Sequence, residues 1–316
     1  MKRDKGGETR VVFMGSGPFA VPALEQLAAV HQLVAVVTQP DRPAGRGRQV
    51  QRGLVAASAD RLGLPVLQPH SFKDSEAVDA LRETQPQLLV VASYGKILPR
   101  RVLDIPERGA INLHPSLLPR HRGASPVAWT ILSGESVAGV TLMEMSAKMD
   151  AGPIIAQREV PLSGDETTES LTAILSVENA ALLMDSLPGF IEGTLVSVPQ
   201  DEAAATYTNM LTKEMGWIEW TKPASQLERE VRAFQPWPVA HTILGGAIRV
   251  FAAVVDDASG ESPAGTVITL GNEGISIQTG EGLLVISQVQ PAGRNRMAAA
   301  DYARGHPEIA GTRAGE

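Results

Sequence analysis

Four short apolar runs constrain this chain most: residues 11–14, 33–38, 88–92 and 110–113. Apolar runs of this length, bounded by turn formers, read as strands covered on both faces, because a half-exposed strand would alternate with polar residues. Helical spacing separates them. Ala20, Val21, Leu24, Leu27 and Ala28 recur on one helical face with Pro18 near the first turn, and residues 53–62 and 76–83 also read as helices. A short strand at 64–67 falls between those two. Strand, helix, strand, helix predicts an α/β chain with a doubly wound, mostly parallel sheet. Residues 127–132 read as helix, and 140–145 and 154–160 as further strands. Ser163-Gly-Asp-Glu166 has the form of a capping box before a long helix running to about residue 190.

Past Gly193 the pattern changes. Residues 196–208 are polar and aperiodic and read as a linker. A helix over 225–234 leads into strands at 248–255, 265–270, 275–279 and 283–289, with Gly271, Gly274, Gly280 and Gly282 as turns. Short strands with tight turns predict a small barrel. The start, 1–9, is polar and reads as a frayed tail, and 304–316 reads as a polar tail.

Charge and composition narrow the partners. The 316 residues carry a net charge of −7, so the molecule as a whole is no general binder of polyanions, and any nucleic-acid contact has to come from a local basic segment. The absence of cysteine excludes disulfides, thiolate-bound zinc and thiol nucleophiles, and it fits an intracellular protein. No secretory h-region and no apolar run of about 18 residues is read in the sequence, so no membrane span is expected. Six histidines without an H-x-x-x-H pair give no expected metal site.

One basic segment does stand out. Residues 39–52 hold Arg42, Arg46, Arg48 and Arg52 against the single acid Asp41. This is either a solvated loop or a mobile arm that grips phosphates with the always-charged guanidinium fork. Farther on, Arg232-Ala-Phe-Gln-Pro-Trp-Pro238 joins arginine to aromatics, as an RNA contact or as interdomain packing. Residues 213–316 hold nine basic against twelve acidic residues, so any RNA contact there is local. Near the start, Gly15-Ser-Gly17-Pro-Phe-Ala20 fits the G-x-G-x-x-A dinucleotide fingerprint, with Asp41 about where a ribose-binding acid would stand. The arginines after Asp41 argue against that, and a tight turn that lets a helix pack on the sheet explains the glycines as well.

The chemistry concentrates in Asn112-Leu-His114-Pro-Ser116-Leu-Leu-Pro119-Arg120-His-Arg122-Gly123, at the end of a strand, where open α/β sheets keep their sites. The Asn-x-His spacing puts Asn112 and His114 on one face of the strand. An asparagine amide can donate to an oxyanion and an imidazole can take a proton near neutrality. Asp150, from a later strand end, is placed to orient His114 and to favour its charged form. The set suits attack by an amine on an acyl or formyl carbon, with no serine or cysteine nucleophile. A core-edge histidine beside a capping asparagine is the structural alternative.

Assembled in order, Gln39-Pro-Asp-Arg-Pro-Ala-Gly-Arg-Gly47, Asn112-Leu-His-Pro-Ser-Leu-Leu-Pro119, Met149-Asp-Ala-Gly152 and Arg232-Ala-Phe-Gln-Pro-Trp-Pro238 resemble the methionyl-tRNA formyltransferase family, over about residues 10–305. The resemblance implies a Rossmann-like catalytic domain at 1–195, a linker at 196–212 and an OB-like C-terminal domain at 213–316. It implies transfer of a formyl group from 10-formyltetrahydrofolate, as co-substrate, to the α-amine of methionyl initiator tRNA, in a cytoplasmic and monomeric protein that uses no metal. It makes Asn112, His114 and Asp150 the catalytic set and Ser116, Leu117, Leu118 and Pro119 the folate-site lining. Arg42 falls in the family's loop for the tRNA acceptor end, and Arg46 and Arg48 are expected to join it. Three other readings remain open: formyl transfer to a small amine, an NAD-dependent oxidoreductase, and a catalytically silent RNA-binding protein.

Overall fold

The structure, a computed structural model, describes residues 9–44, 49–258 and 260–315. The basic residues Arg46 and Arg48 lie outside the described residues, as does most of the N-terminal tail. The chain divides into two compact units. The first takes residues up to 126, 137–161 and 172–208, and the second takes 127–136, 162–171 and 209 onward.

The first unit carries β1 (Arg10–Gly15), α1 (Val21–Val30), β2 (Gln32–Val37), β3 (Arg42–Ala44), β4 (Gln49–Gln51), α2 (Leu54–Arg61), β5 (Val66–Leu67), α3 (Ser75–Glu83), β6 (Leu88–Ala92), α4 (Arg100–Leu103), β7 (Ala110–His114) and β8 (Arg122–Gly123). Along the chain, α5 (Pro126–Leu132), which lies almost wholly in the second unit, is followed by β9 (Val137–Glu144), β10 (Ile154–Pro161), the long helix α6 (Thr168–Glu192) and β11 (Tyr207–Thr208). Seven strands form one sheet in the order β10-β9-β7-β6-β1-β2-β5. The pairs from β7 to β5 are all parallel, and β9 runs antiparallel to both of its neighbours. The runs lack alternation because both faces are covered. Val12, Met14, Ala35, Val37, Leu89 and Val91 share one core cluster with Val78 and Leu81 of α3. Their sequence neighbours Val11, Phe13, Val36, Leu88 and Val90 are fully buried as well. The strand order reverses between β1 and β6, so the carboxyl ends of β1, β6 and β7 are where such a sheet opens a crevice.

Three local expectations need correction. The box at 163–166 is real, since the Glu166 carboxylate accepts from the Ser163 and Gly164 N–H groups at 2.6 and 3.0 Å, but it folds the preceding loop. Although burial acts to raise it, those backbone donors and the Arg232 charge hold the Glu166 carboxyl below its usual range. The helix is capped four residues later than Ser163: Thr167 Oγ1 accepts the Ser170 N–H at 3.1 Å, and Ser170 Oγ accepts the Thr167 N–H at 2.9 Å. Second, α6 is long and apolar enough by length and composition to cross a membrane, which the sequence reading did not register. In this fold its Leu175, Ala180, Leu183 and Leu187 are buried, and Arg158 of β10 binds its Glu178 and Asp185. Third, the aperiodic stretch 196–208 makes backbone pairs inside the first unit, Val198 with Ile154 and β11 with β8.

The second unit holds α7 (Ala224–Ala233), β12 (His241–Ile243), β13 (Ala247–Asp256), β14 (Val267–Gly271), β15 (Gly274–Gln278), β16 (Leu283–Pro291), β17 (Met297–Ala298) and α8 (Ala299–Arg304). Its sheet is antiparallel, in the order β12-β13-β16-β15-β14 with β17 on β16. Leu227 and Val231 of α7 and Tyr302 of α8 pack with Val250, Ile275, Ile277, Leu284 and Ile286 from its strands. The end of the chain is no loose tail. Ile309 and Ala314 are buried, and the backbone at 311–315 bonds to Val267, Gly265 and Ile243. Spaced single apolar residues among polar ones hid that contact from a periodicity search.

Candidate active site

β7 delivers the site. Val91↔Asn112 and Ala92↔Leu113 pair it with β6, and Asn112↔Met143 and His114↔Thr141 pair it with β9. Held on both sides, Asn112 and His114 project from one face, and each residue keeps under a tenth of its surface exposed. His114 Nε2 lies 2.9 Å from the His121 carbonyl oxygen. A carbonyl cannot donate, so Nε2 carries the proton and the neutral ring offers its lone pair at Nδ1. That nitrogen faces Asp150, with Oδ1 at 3.8 Å. The distance is too long for a hydrogen bond and short enough for a charge on the ring to be felt. Asp150 Oδ2 is fixed separately, accepting the Gly123 N–H at 2.9 Å. The tautomer of His114 is therefore set by the His121 carbonyl. Among the described residues no hydrogen bond occupies the Asn112 amide, which leaves a nearly buried donor beside the ring.

Backbone strain gathers here. His121, Ser125 and Asp150 hold φ of 58°, 57° and 49°, in the left-handed region that costs a non-glycine residue about 1–3 kcal/mol. Two residues beyond Asp150, Gly152 is obligatory, because a Cβ there would lie 1.7 Å from the Glu144 carbonyl oxygen. The intervening loop is braced through Thr141, whose Oγ1 donates to the Ser116 carbonyl at 2.7 Å and accepts the Leu118 N–H at 3.1 Å. Gln157 Nε2 donates to the Leu118 carbonyl at 2.8 Å, and Ser116 Oγ donates to the Arg120 carbonyl at 2.7 Å. Ser116 and Leu118 are buried, while Leu117 and Pro119 are half-buried.

Sequence reasoning missed the partners of Arg122, the bulkiest fully buried side chain. Its guanidinium donates to Gln200 Oε1 at 2.8 and 3.0 Å, to both Glu202 carboxylate oxygens at 2.9 and 3.1 Å, and to the Tyr207 hydroxyl at 3.1 Å. The hydrogen bond to Glu202 holds the guanidinium above its ordinary range, against burial. Nothing in the spacing of 200–207 signalled this. A guanidinium in a strand-end loop was the one available hint.

The basic segment is a ribbon, β3 pairing with β4 so that Arg42 faces Gln51. Arg42 is exposed and donates to Gln39 Oε1 at 2.7 Å. Asp41 anchors the base, accepting from Gln68 at 2.9 Å, from the Gly53 N–H at 3.1 Å and from Arg52 at 3.2 Å. Those bonds, Gln68 first, hold its carboxyl below the usual range. Arg52 also pairs with Asp60, so it is neutralised and Asp41 is spent on structure. At Gly15 a Cβ would lie 2.7 Å from that of Ala20 and 2.8 Å from the Ala92 carbonyl oxygen, so close packing explains the glycine. In the second unit, Arg232 binds Glu228 at 2.5 and 2.9 Å and the Glu166 carbonyl at 2.9 Å, while Phe234 is buried and Trp237 is half exposed. Among the described residues no group of three His, Asp or Glu side chains could hold a metal ion.

A mostly parallel sheet with an amide, an imidazole and a carboxylate at its carboxyl edge, followed by an antiparallel unit, defines a class. Residues 9–187 match the formyl transferase family and residues 210–307 match the formyl transferase C-terminal domain. The methionyl-tRNA formyltransferase of Roseiflexus castenholzii is 49% identical over 310 residues, 97% of this chain and 99% of that protein. That of Moorella thermoacetica is 42% identical over 304 residues, 96% and 98% of the two. The chain belongs to the formyl transferase family and, within it, to the methionyl-tRNA formyltransferases. In fold, the N-formyltransferase of Helicobacter canadensis, solved with folinic acid and dTDP-3-aminofucose, is similar with a TM-score of 0.68 at 18% identity, over 89% of this chain and 100% of that one. HypX of Aquifex aeolicus, solved with tetrahydrofolic acid, is similar with a TM-score of 0.61 at 20% identity, over 96% of this chain and 48% of that one.

Proposed function

We propose that this protein transfers the formyl group of 10-formyltetrahydrofolate to the α-amine of methionyl initiator tRNA, for translation initiation in the cytoplasm, acting as a monomer. One observation carries the mechanism: Nδ1 of His114 faces the Asp150 carboxylate at 3.8 Å, beside an Asn112 amide that no described residue occupies. The substrate amine attacks the formyl carbon directly. Asn112 donates to the formyl oxygen as negative charge develops on it. His114 takes the amine's proton at Nδ1 and returns it to the leaving folate nitrogen, and Asp150 stabilises the imidazolium between those events. His121 keeps the ring in the receptive tautomer through its carbonyl.

Ser116 to Pro119 border the folate site, Leu117 and Pro119 through their half-buried faces and Ser116 and Leu118 as the buried anchors of the loop. Arg42 meets the acceptor end of the tRNA, and Arg46 and Arg48 extend that contact. Single-stranded acceptor ends are recognised by such groups. The test is incubation with labelled formyl donor and methionyl initiator tRNA. Label on the methionine amine is the expected result. Label that stays on folate, leaves as formate, or moves equally well to small amines contradicts the reading.

A further inference from the structure

Residues 188–209 fall between the two family-matched regions, yet they brace the site from both sides. The geometry points to Gln200 as a positioning residue for Asp150, and to residues 200–208 as a strap that sets both Asp150 and His114. The inference rests on the reading of those two residues as the reacting pair.

Gln200 uses its amide in both directions. Oε1 accepts from Arg122 at 2.8 and 3.0 Å, and Nε2 donates to the Asp150 carbonyl at 2.9 Å and to the Gly152 carbonyl at 2.7 Å. An amide offers donor and acceptor from one planar group. Asp150 needs this support, because its left-handed backbone is costly and persists only where the surroundings impose it. Arg122 is the fixed post. It is 1% exposed and tied to Glu202 and Tyr207, which belong to the same strap.

The other end of the strap reaches His114. Thr206 Oγ1 accepts the His121 N–H at 2.8 Å, the Thr206 N–H donates to the Pro119 carbonyl at 3.2 Å, and its carbonyl accepts the Arg122 N–H at 2.9 Å. Thr208 Oγ1 donates to the Arg122 and Ala124 carbonyls at 3.1 and 2.7 Å. The His121 carbonyl that receives His114 Nε2–H is thus held by the same segment whose Gln200 holds Asp150. A displacement of the strap would alter the angle between acid and base without touching either substrate.

The test uses the full chain and two near-isosteric substitutions. Gln200→Glu keeps the acceptor for Arg122 and removes both N–H donors to the Asp150 loop. Single-turnover formyl transfer should fall by about tenfold or more, with melting temperature kept and KM for both substrates within about twofold. In an Asp150→Asn background the same change should cost nothing further, because its effect runs through Asp150. Thr206→Val removes the acceptor for the His121 N–H. Ring ¹⁵N spectra, which need no turnover, should show His114 as the Nε2–H tautomer in the wild type and as a mixture in this variant. Wild-type rates in Gln200→Glu, losses that add in the double variant, or a single unchanged tautomer in Thr206→Val would overturn the inference. If the wild type moves no formyl group while the ring spectra behave as expected, the proposed reaction falls and the strap stands.

Discussion

The carboxyl end of β7 and the Arg42 ribbon belong to the same unit and are held by opposite means. Asn112 and His114 sit on a strand paired on both sides, and the loops that carry Ser116, His121 and Asp150 are cross-bonded. Arg42 is exposed on a ribbon whose two strands pair only with each other, and one bond to Gln39 steadies it. Acyl chemistry loses rate steeply when reacting groups drift by an ångström. Phosphate recognition works through charge that reaches a Debye length and tolerates movement. On the proposed roles, the contrast teaches that rigidity is concentrated where geometry would set rate, and spared where charge would suffice.

The largest expected effect would break the rigid side. Asn112→Ala and His114→Ala should each lower kcat by about 10²-fold or more, with folate binding kept, as measured by steady-state formyl transfer and donor titration. Turnover near the wild-type value in either variant removes that residue from the mechanism. Arg122→Met probes the bracing and not the chemistry. It strips donors from Gln200 and Tyr207 inside the fold and should cost about 3 kcal/mol in denaturant unfolding. A loss within error of zero would mean the strap is held some other way.

The ribbon should respond differently. Arg42→Ala is expected to raise the KM for tRNA severalfold, to spare folate binding, and to reduce the salt dependence of tRNA use by about one unit of log–log slope. An unchanged KM across a salt series would sink the assignment. The smallest effect is on Tyr94, beside the ribbon's anchor: its carbonyl accepts from Gln39 Nε2 at 2.8 Å, and its hydroxyl is buried with no partner among the described residues. Burial pushes that hydroxyl from an ordinary 10 up to about 12. With the folded value above the unfolded one, the neutral phenol adds stability fully below pH 10, and the contribution is lost as pH rises toward 12. Tyr94→Phe should change neutral stability by less than about 1 kcal/mol, in the stabilising direction, and flatten the alkaline limb of the unfolding curve. A strong destabilisation at pH 7 would show that the hydroxyl has a role its surroundings do not reveal.

Sequence reading reached the parts whose signal is local. Residues 88–92 became β6 with the expected bounds, because five apolar residues in a row admit few other fates. Asn112, His114 and Asp150 stood out by residue type and position, and the structure brings the His114 ring to face the Asp150 carboxylate. The strap was not, since its partners lie tens of residues away and its own residues have no period. Arg122 could be named and not placed, because burial of a guanidinium depends on acceptors from 78 and 80 residues downstream. The capping box was misread by four residues at the helix start, since Ser163 and Thr167 each open a side-chain-to-backbone bonded turn and only loop geometry chooses between them. The basic segment's charge was overcounted for a similar reason, as Arg52 spends its charge on Asp41 and Asp60.

Single-turnover transfer by Asp150→Asn tests the central claim most directly. The amide can still accept the Gly123 N–H, so the loop is kept while the charge facing His114 is removed. The expected result is a fall of about 10²-fold in the transfer rate with unchanged affinity for the folate donor. A rate within about twofold of the wild type would contradict the account.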